Sequence, residues 1–236
     1  MSERPNSAAT NASFEFDALN QAVNYRHALV RHFRPHLGRE VIEVGAGIGQ
    51  ITELIAQQPG VASVHAVEPD SEFCRALRSR LPHAGIREGT LDQCPLTAAD
   101  SIVSVNVLEH ILEDEAELRR YVRLLGPRRG TLCLFVPARP EIYAPIDKDF
   151  GHHRRYTRPE LEGKLRAAGF TDVRVRYFNL IGYFSWWLVF RVLGSREFKT
   201  GSVRLFDRWI FPVGHWMETN LVAPPIGQSL MAFAKP

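Results

Sequence analysis

Residues 40–50 read EVIEVGAGIGQ, a short apolar run that passes directly into a glycine-rich turn. The run at 40–44 is typical of a buried parallel strand. The glycines at 45, 47 and 49 let the backbone approach a ligand closely, because no Cβ is in the way. A helix is predicted over 50–57 and ends before Pro59-Gly60. A strand, a glycine turn and a helix in this order predict the first unit of a ligand-binding α/β sheet.

The same alternation continues along the chain. Strands are predicted at 63–67, 86–88, 102–105, 131–136, 173–178 and 228–234. Helices are predicted at about 22–33, 70–81, 113–125 and 158–168. Strands that alternate with helices over this length predict a Rossmann-like, doubly wound and mostly parallel sheet.

Length and composition are those of one soluble domain. The chain has 236 residues, of which 45% are hydrophobic and 23% charged, so we expect a single domain over 1–236. Residues 1–18 are predicted to be a disordered leader, not a signal peptide. The three cysteines lie far apart with no metal-ligand spacing. We therefore expect a reducing, cytoplasmic location and no metal.

Charge is unevenly distributed. Residues 1–150 carry 16 basic and 20 acidic side chains, whereas residues 151–236 carry 13 and 6. The net charge of +3 is too small to indicate nucleic acid as a partner. Any positive surface is therefore expected towards the C-terminus.

Two carboxylates decide which ligand the glycine turn suits. A dinucleotide fingerprint needs a third glycine where this chain has Gln50. Glu43, two residues before the first glycine, would repel a pyrophosphate but suits a ligand with a cationic amino group. Glu68, at the end of the second strand, can accept hydrogen bonds from both hydroxyls of a ribose.

These features together resemble the class I S-adenosylmethionine-dependent methyltransferases, and in particular the ubiquinone/menaquinone-type branch with its E-x-G-x-G-x-G turn. The segments VEP at 67–69, GTLD at 89–92 and SVNVLEHI at 104–111 are similar to further motifs of that family. LLGPRRG at 124–130 stands where the family usually has L-K-P-G-G. The resemblance implies a seven-stranded sheet with an antiparallel last strand.

The resemblance also implies S-adenosylmethionine as the cofactor. It places the methionine moiety at the glycine turn, the ribose at Glu68, the adenine against 90–92, and the sulfonium above the end of the fourth strand. The cofactor-binding positions it implies are Glu43, Gly45, Ala46, Gly47, Gln50, Glu68, Pro69, Thr90, Leu91, Asp92, Asn106 and Val107. Glu109-His110 either meets the substrate or only ties the strand end to the next helix.

One dense polar cluster, DKDFGHHRRY at 147–156, follows the fifth strand. It is similar to a G-H-x-R-x-Y segment that borders the acceptor pocket in the family. Ligands of open α/β sheets lie beyond the carboxyl ends of the strands, where this loop belongs. The candidate catalytic residues are His152 or His153 as base, Arg155 as an anion clamp, and Tyr156. The alternative is a solvated loop whose Arg and Tyr cap the next helix.

The segment 179–226 is an aromatic and basic insertion before the last strand. All four tryptophans fall between 186 and 216, interleaved with arginines at 191, 196, 204 and 208 and with Lys199. One interpretation is a helical lid that packs its aromatic side chains on the core. The other is a surface that contacts a membrane interface or holds a lipid tail, which would make the protein membrane-associated.

The function that fits these patterns is SN2 methyl transfer from S-adenosylmethionine to a small-molecule or lipid-linked acceptor, at oxygen. An NAD-dependent oxidoreductase is a weaker alternative, because Gln50 replaces the third glycine. A catalytically silent S-adenosylmethionine-binding protein is another. Nucleic acid is not an expected substrate, since Asn106-Val107-Leu108-Glu109 stands where N-P-P-Y would be needed. The oligomeric state is left open.

Overall fold

The computed structural model describes residues 20–195, 200–221 and 223–236. The predicted leader at 1–18 lies outside these residues. Seven strands form one sheet, and each begins and ends within a residue or two of its predicted position. They are β1 (Glu40–Val44), β2 (Ser63–Glu68), β3 (Gly85–Glu88), β4 (Ser101–Val105), β5 (Thr131–Pro137), β6 (Asp172–Phe178) and β7 (Ser229–Lys235).

The strand order is β3-β2-β1-β4-β5-β7-β6. Strands β1 to β5 pair in parallel, and β7 runs antiparallel to both of its neighbours, β5 and β6. The order reverses between β1 and β4, which places a crevice beyond the carboxyl ends of these two strands. The predicted Rossmann-like sheet with an antiparallel last strand is confirmed.

Helices cover both faces of the sheet, and local sequence sets several of their ends. Asp70 caps one helix by accepting the backbone N–H groups of Glu72 and Phe73, and Thr157 caps another by accepting that of Glu160. The described α-helices are α1 (Val23–Phe33), α2 (Gln50–Ala56), α3 (Ser71–Arg80), α4 (Asp114–Leu125), α5 (Pro145–Asp149), α6 (Arg158–Ala168), α7 (Leu180–Trp186), α8 (Thr200–Leu205) and α9 (Phe211–Asn220).

The sheet separates two apolar cores because successive strand residues point to opposite faces. In β5, Leu132, Leu134 and Val136 face the core beneath α4 and α6. The intervening Cys133 and Phe135 face the core beneath α1 and α9. Every residue of β5 is buried, as expected for a central strand covered on both sides.

The segment between β6 and β7 is helical, as predicted. Helix α7 continues as a π-helix over Trp187–Val192, and α8 continues through a second π-helix, Phe206–Ile210, into α9. No helix in the described parts of the chain is both long and apolar enough to cross a membrane. The single-domain organisation over 1–236, with 179–226 as an insertion, stays a prediction.

Candidate active site

The glycine turn after β1 packs against the ends of two neighbouring strands. The backbone N–H groups of Gly45 and Ala46 both donate to the carbonyl of Val67, at 2.9 and 3.1 Å. Gly45 has a φ of +72°, and a Cβ there would lie 2.3 Å from Cγ2 of Val107. Glycine is therefore required at 45 both by backbone conformation and by the close approach of the end of β4.

Glu43 is a buried carboxyl group directly before this turn, with 2% of the residue exposed. Its Oε2 has no hydrogen-bond partner within the described residues. Burial, together with the nearby charge of Glu68, raises the pKa of Glu43 to about 8. A buried carboxyl with an unused oxygen fits a ligand that brings its own positive charge and N–H donors, such as an amino acid ammonium group.

Glu68, at the end of β2, holds the turn in place. Its Oε2 accepts the backbone N–H of Gly47 at 2.7 Å, and its Oε1 accepts that of Asp70 at 2.9 Å. Burial raises the pKa of Glu68 against the lowering effect of these two hydrogen bonds. A ribose bound here would share this carboxylate with the turn. The neighbouring Pro69 is exposed.

The predicted adenine-side residues form a small capped turn after β3. Thr90 donates its hydroxyl to Oδ1 of Asp92 at 2.9 Å, and this hydrogen bond lowers the pKa of the exposed Asp92. Leu91 turns inward and is 5% exposed. An apolar side chain flanked by polar backbone suits one face of a flat heterocycle.

The end of β4 returns to the same crevice. Asn106 has a φ of +53°, a left-handed conformation that asparagine tolerates better than most residues. Its backbone N–H donates to the carbonyl of Phe135 in β5 at 2.9 Å. Half-buried Val107 reaches across to Gly45, so the two strand ends predicted to flank the cofactor are in contact.

One residue near this crevice had no signal in the sequence. Asn20 accepts a hydrogen bond from the amide of Gln50, the residue that opens α2. The contact joins positions 30 residues apart, and no motif surrounds Asn20. Only the folded position of the chain before α1 reveals it.

The predicted acceptor loop is partly buried. His152, Arg155 and Tyr156 are 8%, 4% and 0% exposed, whereas His153 lies on the surface. The two candidate histidines therefore differ in environment: the side chain of His152 is buried in the protein, whereas that of His153 faces solvent.

Asp147 organises this loop, and the sequence did not single it out. Its Oδ1 lies 3.0 Å from Nδ1 of His152 and accepts the Nε–H of Arg155 at 2.8 Å. Its Oδ2 accepts the backbone N–H of Ala144 at 2.8 Å. Burial alone would raise the pKa of Asp147, but His152 and Arg155 outweigh it and hold that pKa below its usual range. Asp147 therefore stays ionised and fixes the ring of His152.

The two remaining candidates are tied to the protein itself. The guanidinium of Arg155 also donates to the carbonyl of Ala138 at 3.1 Å and lies 4.5 Å from the ring centroid of Trp186. The hydroxyl of Tyr156 is 3.0 Å from the carboxylate of Asp114. Their predicted roles as clamp and catalytic group stay predictions, and the contacts identify both as anchors of the loop.

Glu109 and His110, which follow Val107, lie beside the same loop. Nε2 of His152 is 3.9 Å from Oε1 of the fully buried Glu109. The rings of His110 and His152 meet edge to face, with their centroids 4.7 Å apart. The backbone N–H of His153 donates to the carbonyl of Glu109 at 2.9 Å. The segment after β4 thus connects the two halves of the candidate site.

The helical insertion divides its aromatic side chains between core and surface. Trp186 is 7% exposed and donates its indole N–H to the carbonyl of Ile142 at 3.2 Å. Phe190 and Phe211 are also buried. In contrast, Trp187, Trp209 and Trp216 are 45%, 63% and 57% exposed. The buried side chains fit the interpretation as a lid packed on the core, and the exposed ones fit the interpretation as a surface that contacts a membrane or a lipid.

Comparisons with known proteins agree with this architecture. Residues 42–132 match the family model of a methyltransferase domain. A Mycolicibacterium smegmatis protein named as a probable S-adenosylmethionine-dependent methyltransferase is 30% identical over 151 residues, which are 61% of this chain and 58% of that protein. The match thus spans less than two thirds of either.

Solved structures show the same fold over nearly the whole length. The protein bound to the Trm112 methyltransferase activator of Haloferax volcanii has a TM-score of 0.65 at 15% identity, covering 99% of both chains. A SAM-dependent methyltransferase of Archaeoglobus fulgidus has a TM-score of 0.56 at 15% identity, covering 89% of this chain and 92% of that one. The chain therefore has the fold of class I S-adenosylmethionine-dependent methyltransferases, and its residues 42–132 match a methyltransferase domain.

Proposed function

We propose that this chain is an enzyme that transfers the methyl group of S-adenosylmethionine to an oxygen atom of a small-molecule or lipid-linked acceptor. The observation that carries the proposal is the buried Glu43 beside the glycine turn, with one oxygen not used by the described residues. The ammonium group of the cofactor supplies the charge and the donors that this carboxyl lacks. A pyrophosphate would place negative charge against it, which disfavours a nicotinamide cofactor.

The chain would hold the cofactor across the crevice between β1 and β4. The glycine turn and Glu43 bind the methionine end, Glu68 the ribose, and 90–92 the adenine. Asn106 and Val107 then lie below the reacting sulfonium. These are the cofactor-binding residues of the proposal, and the contact between Gly45 and Val107 supports their common location.

Methyl transfer needs alignment more than it needs a catalytic group. The acceptor oxygen attacks the methyl carbon as the carbon–sulfur bond breaks, which leaves a neutral thioether, S-adenosylhomocysteine. Holding the two reactants in line contributes up to about 7–11 kcal/mol of the barrier. A hydroxyl acceptor must also lose a proton, and of the two histidines we assign His152 to the acceptor oxygen, because Asp147 orients it.

The exposed part of the insertion supports a lipid-linked acceptor. Among the described residues, every large exposed hydrophobic side chain except Val23 and Leu112 lies in this segment: Phe184, Trp187, Leu188, Val189, Val192, Leu193, Leu205, Trp209, Ile210, Val213, Trp216, Met217 and Leu221. Large exposed apolar side chains concentrated in one segment indicate an interaction site. We call these residues the apolar face.

The charges around the apolar face select an anionic membrane surface as its partner. Arg191, Arg204 and Arg208 are exposed. Two acids of the segment point inward: Asp207 accepts the backbone N–H of Asn24 at 2.9 Å, and Glu218 accepts that of Asn179 at 3.0 Å. The described part of the segment thus presents arginine and aromatic rings outward, a combination that binds anionic lipid headgroups by about 1 kcal/mol per basic residue.

Methyl transfer is tested by incubating the protein with methyl-labelled S-adenosylmethionine and cell extract. Aqueous and lipid fractions are then searched by mass spectrometry for products heavier by one methylene. We expect a labelled product that His152→Gln reduces and the surface control His153→Ala does not, with S-adenosylhomocysteine binding unchanged in both. Binding of S-adenosylhomocysteine without any labelled product would identify a silent binding protein instead.

Membrane contact is tested by flotation of the protein with vesicles of phosphatidylcholine and phosphatidylglycerol. We expect binding at low salt that weakens as salt is added, because screening removes the arginine contribution. Trp187→Ala and Trp216→Ala should weaken it, and Leu112→Ala, an exposed apolar residue elsewhere, should not. No binding at low salt would leave the apolar face as a lid or an interface with another protein.

A further inference from the structure

Three metal-ligating side chains converge between the end of β4 and the loop after α5. One side-chain donor atom each from Glu109, His110 and His152 lies within 4.8 Å of the other two. Two of them are neighbours in the chain, and the third comes from 42 residues further along. The cluster combines two imidazoles and a carboxylate, a set that also forms catalytic zinc sites, which keep one coordination position open.

The surroundings of His152 are those of a metal ligand. Its Nδ1 lies 3.0 Å from Asp147, which leaves Nε2 on the side of Glu109, 3.9 Å from Oε1. Metal-bound histidines usually donate their other ring N–H to a carboxylate, which fixes the tautomer and raises the basicity of the ligating nitrogen. Arg155 holds Asp147 in turn, so this outer layer is itself anchored.

His110 is the third member of the set. Its half-buried ring meets that of His152 edge to face, with the ring centroids 4.7 Å apart. A Cβ at Gly151 would stand 3.7 Å from Nδ1 of His110, which shows how closely the loop backbone covers one edge of this ring. Donor atoms around one zinc ion are about 3.4 Å apart, given bonds of about 2.0–2.1 Å. The donor atoms would have to approach one another by up to about 1.4 Å to reach this spacing.

We propose that Glu109, His110 and His152 bind one divalent transition-metal ion of the Zn²⁺ type. Two imidazoles favour Zn²⁺, Co²⁺ or Fe²⁺ over Mg²⁺, which prefers oxygen ligands. Three protein ligands leave at least one position for an oxygen of the acceptor. The contact between the ion and the acceptor rests on the proposed function. The metal-binding site itself does not depend on that function.

The ion would also change how the acceptor hydroxyl loses its proton. A metal-bound hydroxyl has a lowered pKa, so its proton leaves to solvent before the oxygen attacks the methyl carbon. With the ion bound, His152 would serve as a ligand, and without it His152 would keep the role of base assigned above. The ion neither gains nor loses electrons in this step.

The test measures metal binding directly, on the full chain freed of metal with a chelator. Zn²⁺ is added, excess is removed by gel filtration, and bound zinc is counted by mass spectrometry. Co²⁺ is added to a parallel sample, and its visible absorption is recorded. We expect one Zn²⁺ per chain and a Co²⁺ absorption band in the wild type and in His153→Ala, and at least a tenfold weaker affinity in Glu109→Gln and His110→Gln.

Circular dichroism and S-adenosylhomocysteine binding establish that each variant is folded. Zinc binding that is absent in the wild type, or equal in wild type and both ligand variants, overturns the proposal. If zinc binds as expected but no acceptor is methylated, the site stands and the proposed function fails. If methyl transfer proceeds unchanged in the chelated protein that binds no zinc, the function stands and His152 acts as a base.

Discussion

Large apolar side chains are buried in the half of the sheet that contains the glycine turn, but many are exposed in the helical insertion. From β1 to β5, a range that the structure describes throughout, Leu112 is the only large hydrophobic side chain that is exposed, and β5 exposes none of its seven residues. In the insertion, Trp187, Trp209 and Trp216 are exposed while Trp186 is buried. The first region can be explained by its own fold. The second cannot, because an isolated soluble domain has no reason to expose so many large apolar side chains.

The two regions differ in whether the same residues serve both folding and binding. In the sheet, the residues that form the crevice are also those that pack it, as Gly45 against Val107 shows. In the insertion, packing and outward contact fall on different faces of the same helices. Substitutions should therefore affect binding and folding together in the first region and separately in the second.

The largest effect is expected from Gly45→Val. The new side chain would begin 2.3 Å from Val107, at a φ of +72° that branched residues avoid, and would fill the space of the methionine moiety. We expect calorimetry to detect no binding of S-adenosylmethionine or S-adenosylhomocysteine. Gly163→Val, at an exposed helical glycine with open space around it, is the control and should bind normally. Normal binding by Gly45→Val would place the cofactor elsewhere.

The next effect separates the two neighbouring tryptophans of the insertion. Trp186 packs against Phe190 in a tilted arrangement, with 4.6 Å between the ring centroids, and lies against Arg155. Trp186→Ala should lower the free energy of unfolding by about 3–5 kcal/mol. Trp187→Ala should change it by less than about 0.5 kcal/mol and act only on vesicle binding. Substituting both together would mix the two effects. Equal losses of stability in the two single variants, measured by urea unfolding, would assign the whole segment to the core.

The sheet was predictable from sequence because its signals are local. β1 and α6 have the predicted bounds, and Asp70 and Thr157 cap helices where short-range patterns place them. The contacts that organise the acceptor loop were not predictable. Asp147 was visible in a charged run, but nothing in its neighbourhood indicates that burial and Arg155 turn it towards His152.

The insertion shows a second limit of the sequence. Helical spacing predicts helices, and composition predicts an unusual surface, yet neither decides which of Trp186 and Trp187 is buried. That choice depends on the position of Ile142 and Arg155, which come from the loop after β5. The sequence pattern of one segment does not show which residues of another segment will pack against it.

A smaller effect is expected from Glu68→Ala. The carboxylate braces the glycine turn through the N–H of Gly47, and in the proposal it also binds the ribose. Losing these hydrogen bonds should weaken S-adenosylmethionine and S-adenosylhomocysteine by more than about 1 kcal/mol, or about fivefold. Glu88→Ala, at an exposed carboxylate on the end of β3, should leave the affinity unchanged. Calorimetry that shows unchanged affinity in Glu68→Ala would remove Glu68 from the site.

The last prediction is a pH dependence that comes from Glu43. Burial raises the pKa of this carboxyl in the folded protein to about 8 from its ordinary value of 4.5. Between these two values the folded state binds more protons than the unfolded state, so the contribution to stability is fully present below pH 4.5 and is lost as the pH rises through 8. Glu43→Gln removes the titration, and its melting temperature should fall less steeply over that window than that of the wild type.

The same group should make cofactor binding depend on pH in the opposite direction. Only the ionised carboxylate pairs with the ammonium group of the cofactor, so the affinity for S-adenosylhomocysteine should rise as the pH approaches 8, the pKa of Glu43. In Glu43→Gln the affinity should be lower and nearly flat. Melting curves with and without S-adenosylhomocysteine at a series of pH values measure both slopes in one experiment. Parallel slopes in the two proteins would show that Glu43 does not titrate in this range. Glu43 would then keep one protonation state across this range, and its pairing with the ammonium group of the cofactor would not depend on pH.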